Sequence, residues 1–267
     1  MTETTPTPSI AADTSPATGG GSRTAAVLVI GNEILSGRTQ DVNVRMIATK
    51  LAPAGIRVIE VRVVPDVEAE IVDAIHALEA KADYVFTTGG IGPTHDDITS
   101  ACVAKAFGRK LIRHPDAEAL LLSHYKPEDV TEARMKMADV AEDSILLENP
   151  VSRAPGFQVE NVFVLPGVPR IMQAMFDLFK HRLVGGAEML SKSIASYTPE
   201  GKMAARLTAL QDRHPDLEIG SYPFSRDGKH GSTIVIRGTD AAEIDRAAET
   251  LRGIMRDFGN EPQEVDL

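Results

Sequence analysis

Three mostly apolar runs, each ending in a glycine-containing turn, constrain the fold of this 267-residue chain more than any other feature. The runs are AAVLVIG at 25–31, DYVFTTGG at 83–90 and VFVLPG at 162–167. Continuous apolar runs of this length are typical of strands that are buried on both faces, as in a parallel sheet. They predict a parallel sheet whose strands lead directly into tight turns.

Segments with helical spacing separate these strands. Apolar residues recur at helical intervals in 41–55 and 68–82, a further helix is expected at 100–108, and 56–66 resembles another strand. Alternation of strands and helices is the pattern of βαβ units with right-handed crossovers. The fold class expected from the pattern is therefore α/β.

The composition divides the chain into three parts. Residues 1–23 are rich in Thr, Ser, Pro, Ala and Gly, and we expect a disordered tail there. Residues 24–184 contain the strand–helix alternation. Beyond GGAEMLSK the pattern changes to β-α-β-β-α, which predicts a small α+β domain at 193–260.

Charge and cysteine content restrict the partners and the compartment. The 28 Lys and Arg residues against 38 Asp and Glu give a formal charge of −10 without a basic stripe, so we expect no nucleic-acid partner. The chain lacks an apolar run of ~18 residues, so we expect no membrane partner. Its single cysteine, Cys102, excludes an internal disulfide and favours a reducing cytoplasm, with Cys102 buried on a helix.

The turns after the three apolar runs form the strongest functional signal. They are GNEILSG at 31–37, TTGGIGPTHDD at 87–97 and LPGVP at 165–169. In open parallel sheets, ligands bind beyond the carboxyl ends of the strands. Three turns at equivalent strand ends therefore predict one shared crevice.

The middle turn has the chemistry of an anion-binding loop. Gly89, Gly90 and Gly92 have no Cβ, so their amides can approach a ligand, and Thr88 and Thr94 add hydroxyl donors. The turn fits neither G-x-x-x-x-G-K-[ST] nor G-x-G-x-x-G, the two common phosphate motifs. A classical nucleotidase or dehydrogenase is therefore disfavoured.

Two carboxylates follow the glycines, and two roles are open for them. Asp96 and Asp97 precede a helix that is expected to begin near Ile98, so either could cap it. Hard oxygen ligands also suit Mg²⁺ bridged to phosphate, and both roles can coexist. Glu33 in the first turn could bind the metal or water, or remain a loop carboxylate, and His95 could be a base or simply face solvent.

These motifs resemble a known family. TTGGIGPTHDDIT is similar to the signature of the MoaB/Mog molybdopterin-binding family, and most similar to its CinA (competence/damage-inducible protein A) amino-terminal branch. GNEILSGRTQDVN, NPVSRAPGF and FVLPGVP resemble further motifs of that branch, and the resemblance spans about 24–184. The region that begins with IGSYPF is similar to the segment after this domain in eukaryotic FAD synthases.

The resemblance implies a three-layer α/β/α fold with a mostly parallel sheet, a crevice for a pterin or nucleotide, and a homo-oligomer. Molybdenum cofactor enzymes of this family adenylylate molybdopterin with MgATP. The CinA branch is associated with divalent-metal-dependent hydrolysis of ADP-ribose, and related domains with hydrolysis of FAD.

The resemblance also assigns the site. Asp97 matches the functional aspartate of the family, and we expect Asp97, Asp96 and Glu33 to be catalytic and to hold Mg²⁺, Mn²⁺ or Co²⁺. The expected ligand-binding residues lie in the three turns: Gly31, Gly37, Thr88, Gly89, Gly90, Gly92, Thr94, Pro166 and Gly167.

Departures from the family pattern separate two functions. Asn32 stands where the branch usually has Asp, Arg170 and Ile171 replace a pair that ends in Glu, and Asp96 stands where adenylylating relatives have Arg. Lys136 lies in a segment that loosely resembles the Lys-Gln-Ala motif, where it could contact phosphate or face solvent. We expect a metal-dependent nucleotide pyrophosphatase. The alternative is a non-catalytic molybdopterin- or nucleotide-binding module linked to molybdenum cofactor metabolism.

Overall fold

The computed structural model describes residues 23–226 and 228–266. The tail expected at 1–23 therefore lies outside the described residues, except for Arg23, which begins the first strand. No helix within the described ranges is long and apolar enough to cross a bilayer.

Strands and helices alternate in most of the amino-terminal part of the chain, as its sequence pattern predicts, but between Asp139 and Leu165 four short strands follow one another without a helix. Its strands are β1 (Arg23–Ile30), β2 (Ile56–Val64), β3 (Tyr84–Thr88), β4 (Leu111–Arg113), β5 (Asp139–Ala141), β6 (Ile145–Leu147), β7 (Gly156–Val159) and β8 (Val162–Leu165). Its helices are α1 (Asn32–Leu35), α2 (Asn43–Leu51), α3 (Glu68–Glu79), α4 (Thr99–Ala106), α5 (Pro115–His124), α6 (Glu132–Met135) and α7 (Pro169–Phe179). Short 3₁₀ turns follow α2, α5, α6 and α7.

The central sheet has six strands in the order β2-β1-β3-β8-β7-β6. Strands β2, β1, β3 and β8 pair in parallel, and β7 and β6 are added antiparallel at one side. Thr88 is the register partner of both Val29 and Leu165, so β1, β3 and β8 end at the same edge. Their following turns therefore start side by side.

Helices cover both faces of this sheet because the side chains of β1 alternate between two cores. Leu28 packs with Leu78 of α3 on one face. Val27 packs with Ile47 of α2 and Phe176 of α7 on the other face. The predicted three-layer α/β/α architecture with a mostly parallel sheet is confirmed.

Cys102 is part of the first of these cores. It lies on α4 and is 1% exposed, which confirms its predicted burial. Burial raises the pKa of its thiol to about 11. The thiol is therefore protonated at neutral pH and acts as a small apolar core residue.

The carboxyl-terminal part of the chain forms a second, antiparallel sheet. Its elements are β9 (Leu190–Ser196), α8 (Glu200–Arg213), β10 (Glu218–Arg226), β11 (Lys229–Gly238), α9 (Ala241–Asp257) and β12 (Gln263–Glu264). The strand order is β10-β11-β9-β12, and Ile234, Met203 and Leu251 form a core with both helices. The predicted β-α-β-β-α order is confirmed, and the two-residue strand β12 follows it.

This second part is joined to the first at the amino edge of the central sheet. Tyr84, the first residue of β3, donates its hydroxyl to the Val184 carbonyl at 3.0 Å. Arg57, near the start of β2, pairs with Glu218 at 2.6 Å. Because parallel strands begin at one edge and end at the other, these contacts lie at the edge opposite to the glycine-containing turns.

Candidate functional site

The turns after β1, β3 and β8 pack directly against one another. The Gly89 amide donates to the Leu165 carbonyl at 3.1 Å. A Cβ placed on Gly89 would lie 2.2 Å from the Ile30 carbonyl oxygen, and one on Gly167 would lie 3.3 Å from the Gly89 Cα. With a φ of +104°, Gly89 also adopts a backbone conformation that disfavours side chains. The structure therefore brings the three turns together at the carboxyl edge.

The glycine loop is anchored to the start of α4. Gly90 has a φ of +69°, and a Cβ there would lie 2.1 Å from the Thr99 hydroxyl oxygen. The buried Thr99 donates its amide to the Gly90 carbonyl at 2.9 Å and its hydroxyl to the Gly89 carbonyl at 3.0 Å. The close approach of loop and helix thus depends on glycine at this position.

The acidic turn, which we define as residues 94–97, has an unexpected orientation. The Thr94 amide donates to Asp97 Oδ2 at 2.8 Å. The Thr94 hydroxyl lies 2.5 Å from the same oxygen and 2.6 Å from Asp96 Oδ1. A Cβ on Gly92 would lie 2.7 Å from Asp97 Oδ2, so the carboxylate rests against the glycine loop.

The prediction that an aspartate caps α4 is wrong. The N-cap position is Ile98, and no side chain caps this helix end. The Asp97 carboxylate instead faces back to Thr94, while the first helical amide, that of Thr99, already donates to the Gly90 carbonyl. The Asp97 carboxylate is therefore held at Thr94 and does not cap the helix.

Two carboxylate oxygens compete for the single hydroxyl proton of Thr94. A hydroxyl donates one hydrogen bond, so only one of Asp96 and Asp97 can receive it at a time. The other contact then joins two electron-rich oxygens without a proton between them. The hydrogen bond from Thr94 lowers the pKa of Asp96, which keeps negative charge in the turn. This arrangement favours a cation beside the two aspartates.

Glu33 lies apart from this pair. Its two carboxylate oxygens would each be 2.6 Å from a Cβ on Gly31, so the side chain folds back over its own turn. Within the described ranges, no three or more His, Cys, Asp or Glu side chains are grouped so as to hold a metal ion. Asp96, Asp97 and Glu33 therefore do not form a preassembled three-carboxylate site. His95 faces solvent, with 97% of its side chain exposed.

The remaining predicted residues differ in accessibility. Gly37 has a φ of +70° and no atom within 4 Å of an added Cβ, so it lies in an open part of the first turn. Thr88 is 1% exposed, and its hydroxyl has no hydrogen-bond partner. Pro166 is half-buried and Gly167 is exposed at the third turn. The hydroxyl of Thr88 is thus enclosed at the end of β3, while Gly167 remains accessible.

Asp66 and Asn43, which the sequence patterns do not indicate as site residues, help to build the crevice. Asp66 Oδ2 accepts a hydrogen bond from the Asn32 amide at 2.9 Å. Asn43, which is 4% exposed, donates its amide to the Gly167 carbonyl at 2.8 Å and leaves its own oxygen unpartnered. Asp66 lies just beyond the end of β2, after Pro65, so the strand-end rule could have identified it. The partner of Asn43 lies far along the chain and leaves no local pattern.

Lys136 also reaches the acidic turn. Its ammonium donates to the Thr94 carbonyl at 2.8 Å. Lys136, Asp97 and Gly92 line a pocket of about 30 Å³, which has room for a water molecule or an ion but not for a nucleotide. Lys136 is half-buried, so it contacts the acidic turn while part of its side chain remains exposed to solvent.

The chain matches two family models. Residues 26–185 match a model described as a probable molybdopterin binding domain, and residues 188–259 match one described as the middle domain of FAD synthase. The first match includes the three turns and the acidic turn. The second covers most of the antiparallel sheet and its helices.

Similar proteins share most of the length of the chain. A protein of Archaeoglobus fulgidus is 35% identical over 232 residues, which cover 86% of this chain and 97% of the relative. Protein TK1472 of Thermococcus kodakarensis is 35% identical over 247 residues, with the same two coverages of 86% and 97%. A crystal structure of the protein CinA from Thermoplasma acidophilum, described as of unknown function, has 37% identity and a TM-score of 0.57. That alignment covers 60% of this chain and 98% of the CinA chain.

Proposed function

Because this chain belongs to the MoaB/Mog molybdopterin-binding domain family and resembles CinA, we propose that it binds a nucleotide pyrophosphate such as ADP-ribose or FAD and hydrolyses it with a divalent cation. The ligand would lie in the crevice formed by the three turns. Hydrolysis would release AMP from either compound.

The observation that carries this proposal is the contact of two carboxylates with one hydroxyl. Asp96 Oδ1 and Asp97 Oδ2 lie 2.6 and 2.5 Å from the Thr94 hydroxyl oxygen. One hydroxyl proton cannot serve both. A cation at the exposed side of this pair would offset the remaining negative charge.

The donor set suits Mg²⁺, Mn²⁺ or Co²⁺ held jointly by protein and substrate. Mg²⁺ is usually bound through one or two carboxylates together with waters and substrate phosphates. Asp96 and Asp97 supply such a pair, whereas Glu33 lies over Gly31 and could act only through a water. When bound, the cation would polarise the pyrophosphate and activate the attacking water.

The residues of the chain would orient the ligand around that cation. The amides of Gly90 and Gly92 would donate to the pyrophosphate oxygens and stabilise charge that develops as the bond breaks. The Thr94 hydroxyl fixes the carboxylates, and Asp66 adds a further carboxylate at the end of β2. Asp97 is the residue on which we expect turnover to depend most.

A product assay tests the proposal. The full chain is incubated with ADP-ribose or FAD and with Mg²⁺, Mn²⁺ or Co²⁺, and AMP is measured by chromatography. We expect AMP above a metal-only blank, and a loss of about 10–100-fold in Asp97→Asn, since the loss of a metal-site partner commonly costs that much. Asp212→Asn, on the exposed surface of α8, is the matched control and should retain the wild-type rate.

Two results would overturn hydrolysis. One is the absence of AMP with every metal. The other is an unchanged rate in Asp97→Asn, which would mean that the activity arises elsewhere or from a contaminant.

A second function, that of a non-catalytic molybdopterin- or nucleotide-binding module in molybdenum cofactor metabolism, is favoured by the small number of carboxylates. Asn32 stands where the branch usually has Asp, and Arg170 and Ile171 replace a pair that usually ends in Glu. Calorimetry with molybdopterin and with adenine nucleotides separates the two functions. Binding without AMP release supports the module, and no binding of either class rejects it.

We further propose that the protein forms a homo-oligomer in the cytoplasm, because members of the family self-associate and the single cysteine suits a reducing compartment. Light scattering on the full chain tests the first part. A single species with the mass of one 28.7 kDa chain would contradict it.

A further inference from the structure

We propose that Lys136 is a positioning residue, which holds the acidic turn in shape through the Thr94 carbonyl. The lysine would thereby present the Asp96 and Asp97 carboxylates to the cation. The part of this inference that concerns the cation rests on the proposed function, whereas the part that concerns the shape of the turn does not.

The backbone around Lys136 is well anchored. The residue begins the 3₁₀ turn Lys136–Ala138, which links α6 to β5. Its neighbours Met135 and Ala138 are 5% and 0% exposed and belong to one small core. The ammonium therefore extends from a fixed base to the Thr94 carbonyl, which is 42 residues away in the chain.

The Thr94 carbonyl is the group that closes the acidic turn. It accepts a hydrogen bond from the Asp97 amide at 3.4 Å and one from Lys136 at 2.8 Å. The other polar groups of Thr94, its amide and hydroxyl, contact the carboxylates. Because the bond within the turn is long, the bond from the charged lysine is the stronger of the two.

Lys136 binds the carbonyl and leaves the carboxylates available. The hydrogen bonds to the acidic turn use Asp97 Oδ2 and Asp96 Oδ1. Each aspartate thus keeps a second oxygen that can coordinate a cation. A lysine placed on either carboxylate would instead compete with the metal for it.

A positioning role and simple charge repulsion predict opposite effects on cation binding. A positive charge close to a cation site repels the cation, so its removal alone should tighten binding. If Lys136 holds the turn in shape, its removal should instead weaken binding, because the two aspartates lose their common orientation. The sign of the change therefore distinguishes the two roles.

The first experiment measures the turn without any cation. Hydrogen exchange of the Thr94 amide is recorded by NMR in the wild type and in the variants Lys136→Met, Lys136→Arg and Lys110→Met. We expect faster exchange in Lys136→Met and near-wild-type exchange in Lys136→Arg, whose guanidinium can also donate to the carbonyl. Lys110 is an exposed lysine near the start of β4, so its variant controls for the lost charge and should not change this amide.

The second experiment titrates Mn²⁺ into the same four proteins, with free Mn²⁺ measured by electron paramagnetic resonance. We expect Lys136→Met to bind about tenfold more weakly, Lys136→Arg to recover most of the affinity, and Lys110→Met to match the wild type. Tighter binding by Lys136→Met would overturn the positioning role.

The two readouts separate the failure of this inference from the failure of the proposed function. Unchanged exchange of the Thr94 amide in Lys136→Met rejects the positioning role, whatever the cation does. No Mn²⁺ binding by the wild type rejects the metal-dependent function, and the exchange rates then decide the role of Lys136 alone.

Discussion

A single hydroxyl, that of Thr94, determines how the two aspartates of the glycine loop are used. Without it, Asp96 and Asp97 could turn toward α4 and cap the helix, as aspartates before helices often do. With it, both carboxylates are held at Thr94, and Asp97 rests on Gly92. At the residue scale, the chemistry of the site therefore depends on Thr94 and on the two carboxylates that its hydroxyl contacts.

Replacing the hydroxyl should change the titration of Asp96. The hydrogen bond from Thr94 lowers the pKa of Asp96, so Thr94→Val should raise that pKa toward its ordinary value near 3.8. The sign follows from stabilisation of the ionised form, which in the wild type persists to lower pH and is lost as the pH falls through the lowered pKa. Carboxyl NMR titration of both proteins measures this, and an unchanged pKa would show that Thr94 does not donate to Asp96.

Gly89 should tolerate no side chain. In Gly89→Ala, the added Cβ would meet the Ile30 carbonyl oxygen at 2.2 Å with φ at +104°, so we expect a loss of about 3 kcal/mol or more in the free energy of unfolding. Gly108→Ala is the matched control, because Gly108 has a φ of +62° but no atom within 4 Å of the added Cβ. That control should lose about 1–2 kcal/mol. Equal losses in urea denaturation would contradict the close approach.

At the residue scale, the sequence predicts where the glycines lie but not how the Asp96 and Asp97 carboxylates are oriented. Gly89 and Gly90 lie where an apolar strand ends. The carboxyl ends of parallel strands lie at one edge of the sheet, where ligands bind. The direction of the Asp97 carboxylate depends on Thr94 and on Lys136, whose contact joins residues far apart in the chain. A helix-capping preference depends only on neighbouring residues, so it does not predict a contact between residues that are far apart in the chain.

At the scale of elements, strands β1, β3 and β8 and their helices follow closely from hydrophobic periodicity. Strand β2, predicted at 56–66, spans Ile56–Val64, and the helix predicted at 68–82 spans Glu68–Glu79. Strands β6 and β7 have only three and four residues, which is too short for a period-two pattern to be distinctive. The antiparallel side of the sheet was therefore not predicted.

Helix α7 should stabilise the fold through its buried face alone. Phe176 is fully buried and packs against Phe86 and Phe179, so Phe176→Ala should cost about 3–5 kcal/mol. Leu178, on the same helix, is 42% exposed, and Leu178→Ala should change stability by about 0.5 kcal/mol or less. Thermal unfolding of the two variants compares them directly. A similar loss in both would mean that α7 packs differently.

At the scale of the whole molecule, separate cores support the two sheets. The α/β/α sheet is stabilised by the cores on its two faces, and the antiparallel sheet by a core that includes Leu251 and Met203. The second sheet joins at the amino edge, near Tyr84 and Arg57, so it does not cover the crevice of its own chain. The sequence predicts the strand–helix alternation of the first part and the β-α-β-β-α order of the second, but not this attachment, because it depends on a few contacts between residues far apart in the chain.

Because the two parts of the chain have separate cores, each part should unfold locally without the other. Leu251→Ala is expected to accelerate amide exchange throughout residues 190–264 and to leave residues 23–184 unchanged, because its cavity affects only the core of the antiparallel sheet. Hydrogen–deuterium exchange with mass spectrometry measures both parts in one sample. Faster exchange across the whole chain would show that the two parts unfold as one unit.

The most direct test of the crevice as the ligand site is the same exchange measurement on the wild-type chain with and without saturating ADP-ribose and Mg²⁺. We expect slower exchange in the three turns at 31–37, 87–97 and 165–169, and unchanged exchange in residues 190–264. Protection that is confined to the second sheet, or no protection anywhere, would contradict the assignment of the crevice as the site of nucleotide binding.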